Sequence, residues 1–467
     1  MKNIIIESLV LSQKTAIIED DKLVELLIED NTNEKIVSNI YRGVVKNIKP
    51  GIEAGFVDIG FDKLAYLPLG KNKDIKSGQD IMVQVNKEGI GSKGAKLNLE
   101  ISIAGRYLVY IPSNDRSTMS NKITDEKERF RLKKIINSIN KEGLGIIVRT
   151  EAQGCTLEEL KSDLDELKAK YEIVCKEFKL GMGPKLLYKD LDFASKYVKD
   201  NVNEDTNQII VNNEEKYNEL KNILKGINKE YVTKLVLENN KDIFDLYKVQ
   251  SQIEKSINKK IWLKSGGYLI IDKTEAMTVI DVNTGKYTGS IKLEETVHKT
   301  NLEAAKEIAR QLRLRDIGGI IIIDFIDIHK KQYKEELLSV LSNELKKDKR
   351  KSEVLGLTRL GLVEVARRRE KNSIDTYFLG DCPTCKEHSY LKSINTIIDD
   401  IEKEVMRISE HTSYKSISIE LNNEVYKEIN QKWKNILDTI SKKYDIIIKP
   451  TGRDNVSYEK INIIFNT

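Results

Sequence analysis

The segment at residues 268–328 constrains the fold more than any other part of the sequence. It is predicted to contain a strand at 268–272, a return strand at 276–281, an amphipathic helix at 294–314 and an apolar strand at 320–324. Two strands joined by a helix of this length form a parallel pair within an α/β sheet. The last strand has apolar residues on both faces, so we expect it to be central and buried on both sides.

Two strands of this segment end in a carboxylate, at Asp281 and at Asp324. The carboxyl ends of adjacent parallel strands lie at one edge of the sheet, so we expect the two side chains to converge there. Close carboxylates repel one another unless a cation neutralises them, and oxygen ligands suit Mg²⁺ or Mn²⁺. Asn283 adds an amide that can orient a water ligand or a substrate. A cation held in this way can activate water and stabilise charge on a phosphodiester.

Other polar residues compete with this assignment. Either carboxylate could instead be a strand-end residue that faces solvent, and strand alternation does not decide whether Asp324 or Asp327 faces the site. The competing acids are Asp272, Asp316 and Asp327. His298 and His329 lie nearby and are expected to be surface or packing residues, and the sequence indicates no side-chain general base.

The length of 467 residues suggests roughly three or four domains. With 78 basic and 73 acidic side chains, the net charge of +5 is too small to identify a nucleic-acid-binding protein. The longest apolar run near the middle, 317–323, is far too short to span a membrane. We expect no membrane span, no signal peptide and, with four cysteines, no disulfide framework, which together favour a cytoplasmic location.

Residues 37–105 are predicted to form a small β-barrel of the OB type, because short strands alternate with Gly/Pro turns. Residues 1–36 contain strands that need pairing partners elsewhere in the chain. The segment 89–94 matches GxGxxG, but a strand pattern follows it where a dinucleotide site requires a helix, so a hairpin loop is predicted. Thr156 and Glu159 predict a capping box at a helix start.

Several further motifs resemble those of a known family. They are TVIDVN at 278–283, KTNLEAA at 299–305, EIARQLRLRD at 307–316, GG at 318–319, IDFID at 323–327 and TRLGL at 358–362. Together they resemble the catalytic core of the ribonuclease E/G family, and the resemblance extends over nearly the whole chain. It implies an endoribonuclease of RNA processing and decay that cleaves single-stranded RNA and leaves 5′-phosphate and 3′-hydroxyl ends.

The resemblance assigns roles to residues that the sequence alone would not single out. Asp281 and Asp324 match the magnesium ligands, Asn283 matches their supporting Asn, Phe56, Tyr66, Lys93 and Lys351 match RNA contacts, and Arg149 and Thr150 match a pocket for a 5′-monophosphate. Lys351 stands where the family has Arg, which keeps the charge and loses the bidentate fork. The loop at 117–123 lacks the usual glycines, and its Lys122 stands where Arg is common.

The resemblance also implies a multidomain α/β architecture. Its segments are the first part of an RNase H-like domain (1–36), an inserted S1 (OB) barrel (37–105), a 5′-sensor region (106–194), the second part of the RNase H-like domain (195–256), a DNase I-like catalytic domain (257–380), a zinc link (381–391) and a small C-terminal α/β domain (392–467).

Cys382 and Cys385 have the CxxC spacing that brings two thiolates to one metal ion. Tetrahedral zinc normally takes four ligands, so one chain supplies half of a site. The pair is either a reducible surface pair or a zinc site shared by two chains, and His388 could join the coordination. The family uses this motif as a zinc link between protomers, which implies a homodimer or tetramer, although residues 386–388 lack the family's glycines.

An alternative from another functional class is a non-catalytic RNA-binding scaffold, in which the S1 barrel holds RNA and the acids are structural. An exonuclease is the alternative enzyme. The presence of Asp281, Asn283 and Asp324 together favours the endoribonuclease over the scaffold.

Overall fold

The structure is a computed structural model of the chain. It describes residues 1–465 except 32–34, 71–73, 90–93, 240, 286–292, 349, 370–372 and 382–389. The chain forms two compact units, Asn33–Asn201, here called the inserted unit, and Met1–Thr32 with Val202–Thr467, here called the main unit. Both units contain helices and sheets, which confirms the predicted multidomain α/β class.

The strands of the described chain follow one another in this order: β1 (Lys2–Ser8), β2 (Ser12–Glu19), β3 (Lys22–Asp30), β4 (Ile40–Lys49), β5 (Ala54–Asp58), β6 (Ala65–Pro68), β7 (Asp80–Lys87), β8 (Lys96–Asn98), β9 (Ile103–Ala104), β10 (Leu108–Ile111), β11 (Ser117–Met119), β12 (Gly145–Val148), β13 (Lys185–Tyr188), β14 (Thr206–Val211), β15 (Leu235–Leu237), β16 (Lys260–Trp262), β17 (Tyr268–Lys273), β18 (Met277–Asn283), β19 (Gly319–Asp324), β20 (Ser352–Leu357), β21 (Val363–Arg367), β22 (Leu379–Asp381), β23 (Tyr390–Lys392), β24 (Ser416–Asn422), β25 (Ile447–Arg453) and β26 (Asn462–Phe465).

The α-helices of the same residues are α1 (Glu126–Ile139), α2 (Leu157–Lys179), α3 (Phe193–Asn201), α4 (Glu214–Ile227), α5 (Ile243–Leu246), α6 (Val249–Ile257), α7 (Leu293–Leu314), α8 (Lys331–Leu345), α9 (Asp375–Phe378), α10 (Ile394–His411), α11 (Asn423–Glu428) and α12 (Lys434–Tyr444).

The inserted unit contains a closed barrel of five strands. These strands pair in the order β4-β5-β6-β8-β7, and β7 pairs with β4 to close the barrel. This closure confirms the predicted OB-type barrel. Gly43 allows β4 to run close to β5, because a Cβ atom there would lie 2.5 Å from Cγ1 of Val57.

A second sheet of the inserted unit, in the order β11-β12-β10-β9, packs against α1 and α2. Thr156 and Glu159 form the predicted capping box at the start of α2. Asp163 on the same helix accepts hydrogen bonds from the backbone N–H groups of Arg106, Tyr107 and Leu108. Through these bonds the helix fixes the start of β10.

The first sheet of the main unit has the order β15-β14-β1-β2-β3. Strand β1 pairs in parallel with β14, more than 190 residues later in the chain. The prediction that the N-terminal strands find partners elsewhere is confirmed. The pairing buries the apolar side chains of β1, since Ile4, Ile5 and Ile6 are at most 1% exposed.

A six-stranded sheet of the main unit has the order β16-β17-β18-β19-β21-β20. Strands β18 and β19 are parallel neighbours joined through α7, as predicted. Helices α7 and α8 pack against the face that carries Ile321 and Ile323. The expectation that β19 is buried on both faces is wrong, because Ile320 on the other face is 56% exposed and Ile322 is only half-buried. That other face, which also carries Asp281, Asn283 and Asp324, is here called the open face.

The C-terminal part of the main unit combines the sheet β25-β24-β26 with α10 and α12. Helix α10 also buries charged groups, and Lys14 Nζ lies 2.6 Å from an Asp399 carboxylate oxygen with both side chains almost fully buried. The predicted α/β character of the tail is confirmed.

Candidate active site

Backbone register places the two predicted carboxylates side by side. Asp281 at the end of β18 is the direct partner of Asp324 at the end of β19. Residues opposite one another on neighbouring strands project from the same face, with the strands about 4.8 Å apart. Asp281 is half-buried and Asp324 is exposed, so both carboxylates are accessible on the open face.

The charge of this pair is not balanced by the described protein. Partial burial raises the pKa of Asp324, and repulsion from Asp281 and Asp327 raises it further. Asn283 donates a hydrogen bond from Nδ2 to Oδ2 of Asp281 at 2.7 Å. Within the described ranges, no Lys or Arg forms an ion pair with Asp281 or Asp324. Two adjacent carboxylates without a cationic partner form a site that favours binding of a cation.

The donor set of this site fits a hard divalent cation. Mg²⁺ commonly binds through one or two carboxylates and completes its octahedral shell with water and substrate phosphate oxygens. Asp281 and Asp324 supply two carboxylates, and Asn283 fixes the orientation of one of them. Among the residues that the structure describes, no group of three or more His, Cys, Asp or Glu side chains is arranged to hold a metal ion.

The three competing acids lie in different surroundings. Asp327 follows β19 in an exposed loop and acts on Asp324 through repulsion. Asp272 lies on the open face and is paired with Lys259 at 2.6 Å. Asp316 precedes β19 at its opposite end, where Arg367 lies 3.1 Å from it and Arg350 also contacts it. Asp316 has a positive φ of 57° just after α7, and Gly319 has a positive φ of 103° at the start of β19.

The two nearby histidines do not point to catalysis. The His298 ring is buried and stacks on Tyr333 with centroids 4.0 Å apart, and its Nε2 lies 2.9 Å from Glu336. His298 therefore packs α7 against α8. His329 is exposed in the loop after β19.

One residue that the sequence did not single out supports the carboxylate end of β19. Asn301 on α7 is fully buried. Its Nδ2 donates to the carbonyl of Ile326 at 2.7 Å, and the Ile326 N–H donates to its Oδ1 at 3.2 Å. This double hydrogen bond fixes the backbone two residues after Asp324. A polar residue within the apolar spacing of α7 was the available signal.

The predicted RNA contacts of the barrel lie together in part. Phe56 on β5 and Tyr66 on β6 are direct cross-strand partners, with ring centroids 6.3 Å apart at 72°. Both side chains are half-buried, and Lys49 Nζ lies 5.5 Å from the Phe56 ring. Phe56 is therefore a surface residue of the barrel and not a core residue. Lys93 lies outside the described residues.

The predicted phosphate-binding arginine already has an anionic partner. Arg149 donates from Nη1 and Nη2 to the two carboxylate oxygens of Asp200 at 2.8 and 2.6 Å. Its Nη1 also donates to the carbonyl of Gly105 at 2.6 Å. The Thr150 hydroxyl lies 3.1 Å from the Ser120 hydroxyl. A phosphate that binds Arg149 must therefore compete with Asp200.

The other predicted site residues are separate from the carboxylate pair or not described. Lys351 is exposed just before β20, whose first residue lies across β21 from Gly319. It is thus near the opposite end of β19 from Asp324, about 16 Å away along the strand. Cys382 and Cys385 lie outside the described residues.

Comparisons with known proteins agree with the resemblance. The model of the Ribonuclease E/G family matches residues 102–370. Ribonuclease G of Salmonella typhimurium is 37% identical over 425 residues, and Ribonuclease G of Escherichia coli is 38% identical over the same length, with 86% of each chain covered in both cases. Ribonuclease E of Nostoc sp. is 36% identical over 391 residues, which cover 80% of this chain and 57% of that protein.

A match of this extent and identity shows common descent. The chain therefore belongs to the ribonuclease E/G family and is an endoribonuclease. Of the helices that the structure describes, none combines the length and the apolar composition needed to cross a membrane.

Proposed function

We propose that this chain is a Mg²⁺-dependent endoribonuclease that cleaves single-stranded RNA to 5′-phosphate and 3′-hydroxyl ends, in RNA processing and decay. The observation that carries the proposal is the direct pairing of Asp281 with Asp324 on an accessible sheet face. Mn²⁺ has the same preference for oxygen ligands and is expected to substitute. The relatives named ribonuclease G and ribonuclease E support the substrate class.

In the proposed mechanism, Asp281 and Asp324 would hold the cation, and Asn283 keeps Oδ2 of Asp281 in a fixed orientation. When bound, such a cation would supply positive charge for the phosphodiester and would activate water. The buried Asn301 holds the loop after β19, so the Asp324 side chain begins from a fixed backbone. The open face leaves the carboxylates accessible to a chain as large as RNA.

The domain assignment that the family implies belongs to the same proposal. The sheet of β1–β3 with β14 and β15 would be the RNase H-like domain, and the barrel the S1 domain that binds RNA. The sheet that carries Asp281 would be the DNase I-like domain. Phe56 and Tyr66 would stack on bases, with Lys93 and Lys351 at the backbone, because stacking on exposed aromatic rings tolerates any base sequence.

We also propose that Arg149 and Thr150 bind a 5′-monophosphate and so stimulate cleavage. A guanidinium already set in bidentate geometry by Asp200 has the orientation that a phosphate requires. Because the phosphate must compete with Asp200 for Arg149, we expect only a moderate preference for a 5′-monophosphate over a 5′-triphosphate.

The zinc link is the remaining proposal. Cys382 and Cys385 would supply two thiolates, and a second copy of the chain the other two, so that the ion joins a homodimer. A tetramer built from two such pairs is compatible with the same motif.

A cleavage assay on a circular single-stranded RNA tests the proposal against its alternatives. The proposal predicts linear products with 5′-phosphate and 3′-hydroxyl ends, loss of cleavage with EDTA and recovery with Mg²⁺. RNA binding without cleavage under all metal conditions would identify a scaffold. Release of mononucleotides from linear RNA, with no cut in the circle, would identify an exonuclease. Linear RNA with a 5′-monophosphate or a 5′-triphosphate tests sensing in the same assay.

A further inference from the structure

Aromatic side chains lie on the open face next to the carboxylate pair. Across the sheet, Trp262 on β16 pairs with Tyr268 on β17, which in turn pairs with Asn283 on β18. One row further along the strands, Ile270 lies between Lys260 and Asp281. Because direct cross-strand partners share a face, both rows project from the same side as the carboxylates.

Trp262 and Tyr268 form one surface with a cation beside it. Their ring centroids are 5.4 Å apart at an interplanar angle of 63°, and the Trp262 side chain is 65% exposed. Lys260 Nζ lies 4.1 Å from the Trp262 ring and 3.8 Å from the Tyr268 ring. We call these three residues the aromatic platform. With strands about 4.8 Å apart, it begins one strand from Asn283 and extends about 10 Å to the sheet edge.

The turn that carries the platform is held rigidly. Glu303 on α7 accepts hydrogen bonds from the backbone N–H of Lys264 at 2.7 Å and from that of Ser265 at 3.1 Å. The turn also packs closely on the end of β18, since a Cβ atom on Gly267 would lie 2.7 Å from the Asn283 carbonyl oxygen. The platform therefore has a fixed position relative to the strand that carries Asp281.

The charge around the platform indicates an anionic partner. A groove of about 1200 Å³ reaches Trp262 at the edge of the sheet, and its lining comes from β2, β3, α6, β16, α7 and α8. Its lining includes nine Lys or Arg side chains and six Asp or Glu side chains, among them Lys255, Lys259, Lys264 and Lys306. A large exposed indole among lysines suits single-stranded nucleic acid, whose bases stack and whose phosphates need cations.

We propose that Trp262 and Tyr268 stack on a base of the RNA close to the scissile phosphodiester, while Lys260 contacts a neighbouring phosphate. This inference rests on the proposed function, and it adds a positioning surface within the main unit itself. The platform holds the strand next to the carboxylates without reading its base sequence. A second copy of this chain is the competing occupant, and the excess of basic over acidic side chains in the groove disfavours it, because two copies of that surface would repel one another.

Fluorescence of Trp262 tests stacking without any need for cleavage. The chain has two tryptophans, so Trp433→Phe leaves Trp262 as the single one, and Asp324→Asn in addition keeps the RNA intact. Titration with a short single-stranded RNA is expected to quench Trp262 with the same affinity that fluorescence anisotropy of labelled RNA reports. One abasic nucleotide at a single position near the cleavage site is expected to remove most of the quenching.

Two results would overturn the proposal. The first is saturating RNA binding by anisotropy with an unchanged Trp262 signal. The second is a Trp262 signal that changes with protein concentration in the absence of RNA, which would assign the face to a second copy. Neither result bears on whether the wild-type chain cleaves RNA, so failure of the platform and failure of the proposed function are distinguishable.

Substitutions give an independent readout. Trp262→Ala is expected to weaken binding of uncleaved RNA about 10-fold, within the roughly 5- to 150-fold expected for loss of one stacked base. Trp262→Phe should restore most of the affinity, and Lys260→Gln should weaken it less and reduce its salt dependence. Tyr414→Ala is the control, because Tyr414 is an exposed aromatic residue outside this sheet. Equal affinities of Trp262→Ala and Tyr414→Ala would contradict the proposal.

Discussion

The carboxylate pair on the open face and the Arg149 guanidinium in the inserted unit are both charged groups at strand ends, but their charges are balanced differently. Asp281 and Asp324 lie in register, and the raised pKa of Asp324 reflects partial burial and their mutual repulsion. Arg149 instead makes two short hydrogen bonds to Asp200 and one to a backbone carbonyl. One site lacks a counter-ion within the described protein, and the other contains one.

This difference predicts different behaviour towards ligands. A cation that binds between two carboxylates removes the electrostatic repulsion between them, so we expect its binding to be strong and to be required for cleavage. An anion that binds Arg149 must replace a bidentate carboxylate, so the net gain is the difference between two similar interactions. The carboxylate pair is therefore expected to control whether cleavage occurs, and Arg149 to modulate it.

The largest expected effect belongs to the carboxylates. Asp281→Asn or Asp324→Asn should lower kcat/KM by about 10³-fold or more, because each would remove one of the two proposed metal ligands and one negative charge. RNA binding should persist. Asp272→Asn is the matched control, since Asp272 lies on the same face and is paired with Lys259. Undiminished hydrolysis by both ligand variants in a single-turnover assay would remove the mechanism.

The next largest effect concerns Arg149, whose charge is balanced by Asp200. Arg149→Gln should reduce the preference for 5′-monophosphate over 5′-triphosphate RNA by about 10-fold, since a charge-assisted bidentate contact is lost. Cleavage of circular RNA should be nearly unchanged. Arg131→Gln is the control, because Arg131 makes a similar bidentate pair with Glu128 in the same unit. An equal loss on circular RNA would mean that Arg149 acts only through stability.

A smaller effect is expected from the support of the carboxylate end of β19. Asn301→Ala leaves the N–H and carbonyl of Ile326 without their side-chain partner and should cost about 1–3 kcal/mol of unfolding free energy. Cleavage should fall several-fold, with RNA affinity retained. Chemical denaturation and initial rates give the two readouts. Ser339→Ala, at an exposed position of the neighbouring helix α8, should change neither, and equal behaviour of the two variants would contradict this role.

The smallest effect comes from weakening the counter-ion of Arg149. Asp200→Asn keeps a hydrogen-bond acceptor and removes its charge, so a 5′-phosphate should compete better. We expect about a threefold higher preference for 5′-monophosphate RNA and a loss of about 1 kcal/mol in stability, as for a partly exposed ion pair. Competition binding with short 5′-phosphorylated RNA measures the preference. A reduced preference would indicate that Asp200 itself orients the phosphate.

Sequence reasoning located the carboxylate pair because local signals suffice there. Two apolar strands, one helix between them and an Asp at each strand end determine a parallel pair with adjacent carboxylates, and the register confirms it. The barrel closure and the capping box at Thr156 were predictable for the same reason. The exposure of one face of β19 could not be predicted, because a strand with apolar residues on both faces can belong to a covered sheet or to an open one.

The features that escaped prediction depend on distant parts of the chain. Asp200 lies 51 residues after Arg149, and no local pattern pairs them. Asn301 lies within the predicted helix, but its hydrogen bond to the loop after β19 depends on tertiary packing, which the sequence does not reveal. The aromatic platform arises from two strand pairings that bring Trp262 and Tyr268 into the row of Asn283.

The most direct measurement of the central claim counts the divalent cation itself. Electron paramagnetic resonance of Mn²⁺, in the presence of a short RNA, can be compared between the wild-type chain and Asp281→Asn/Asp324→Asn. The account predicts that the doubly substituted chain lacks about one Mn²⁺ per chain that the wild type binds, and that bound Mn²⁺ and cleavage rise together. Equal Mn²⁺ occupancy in the two proteins would contradict it.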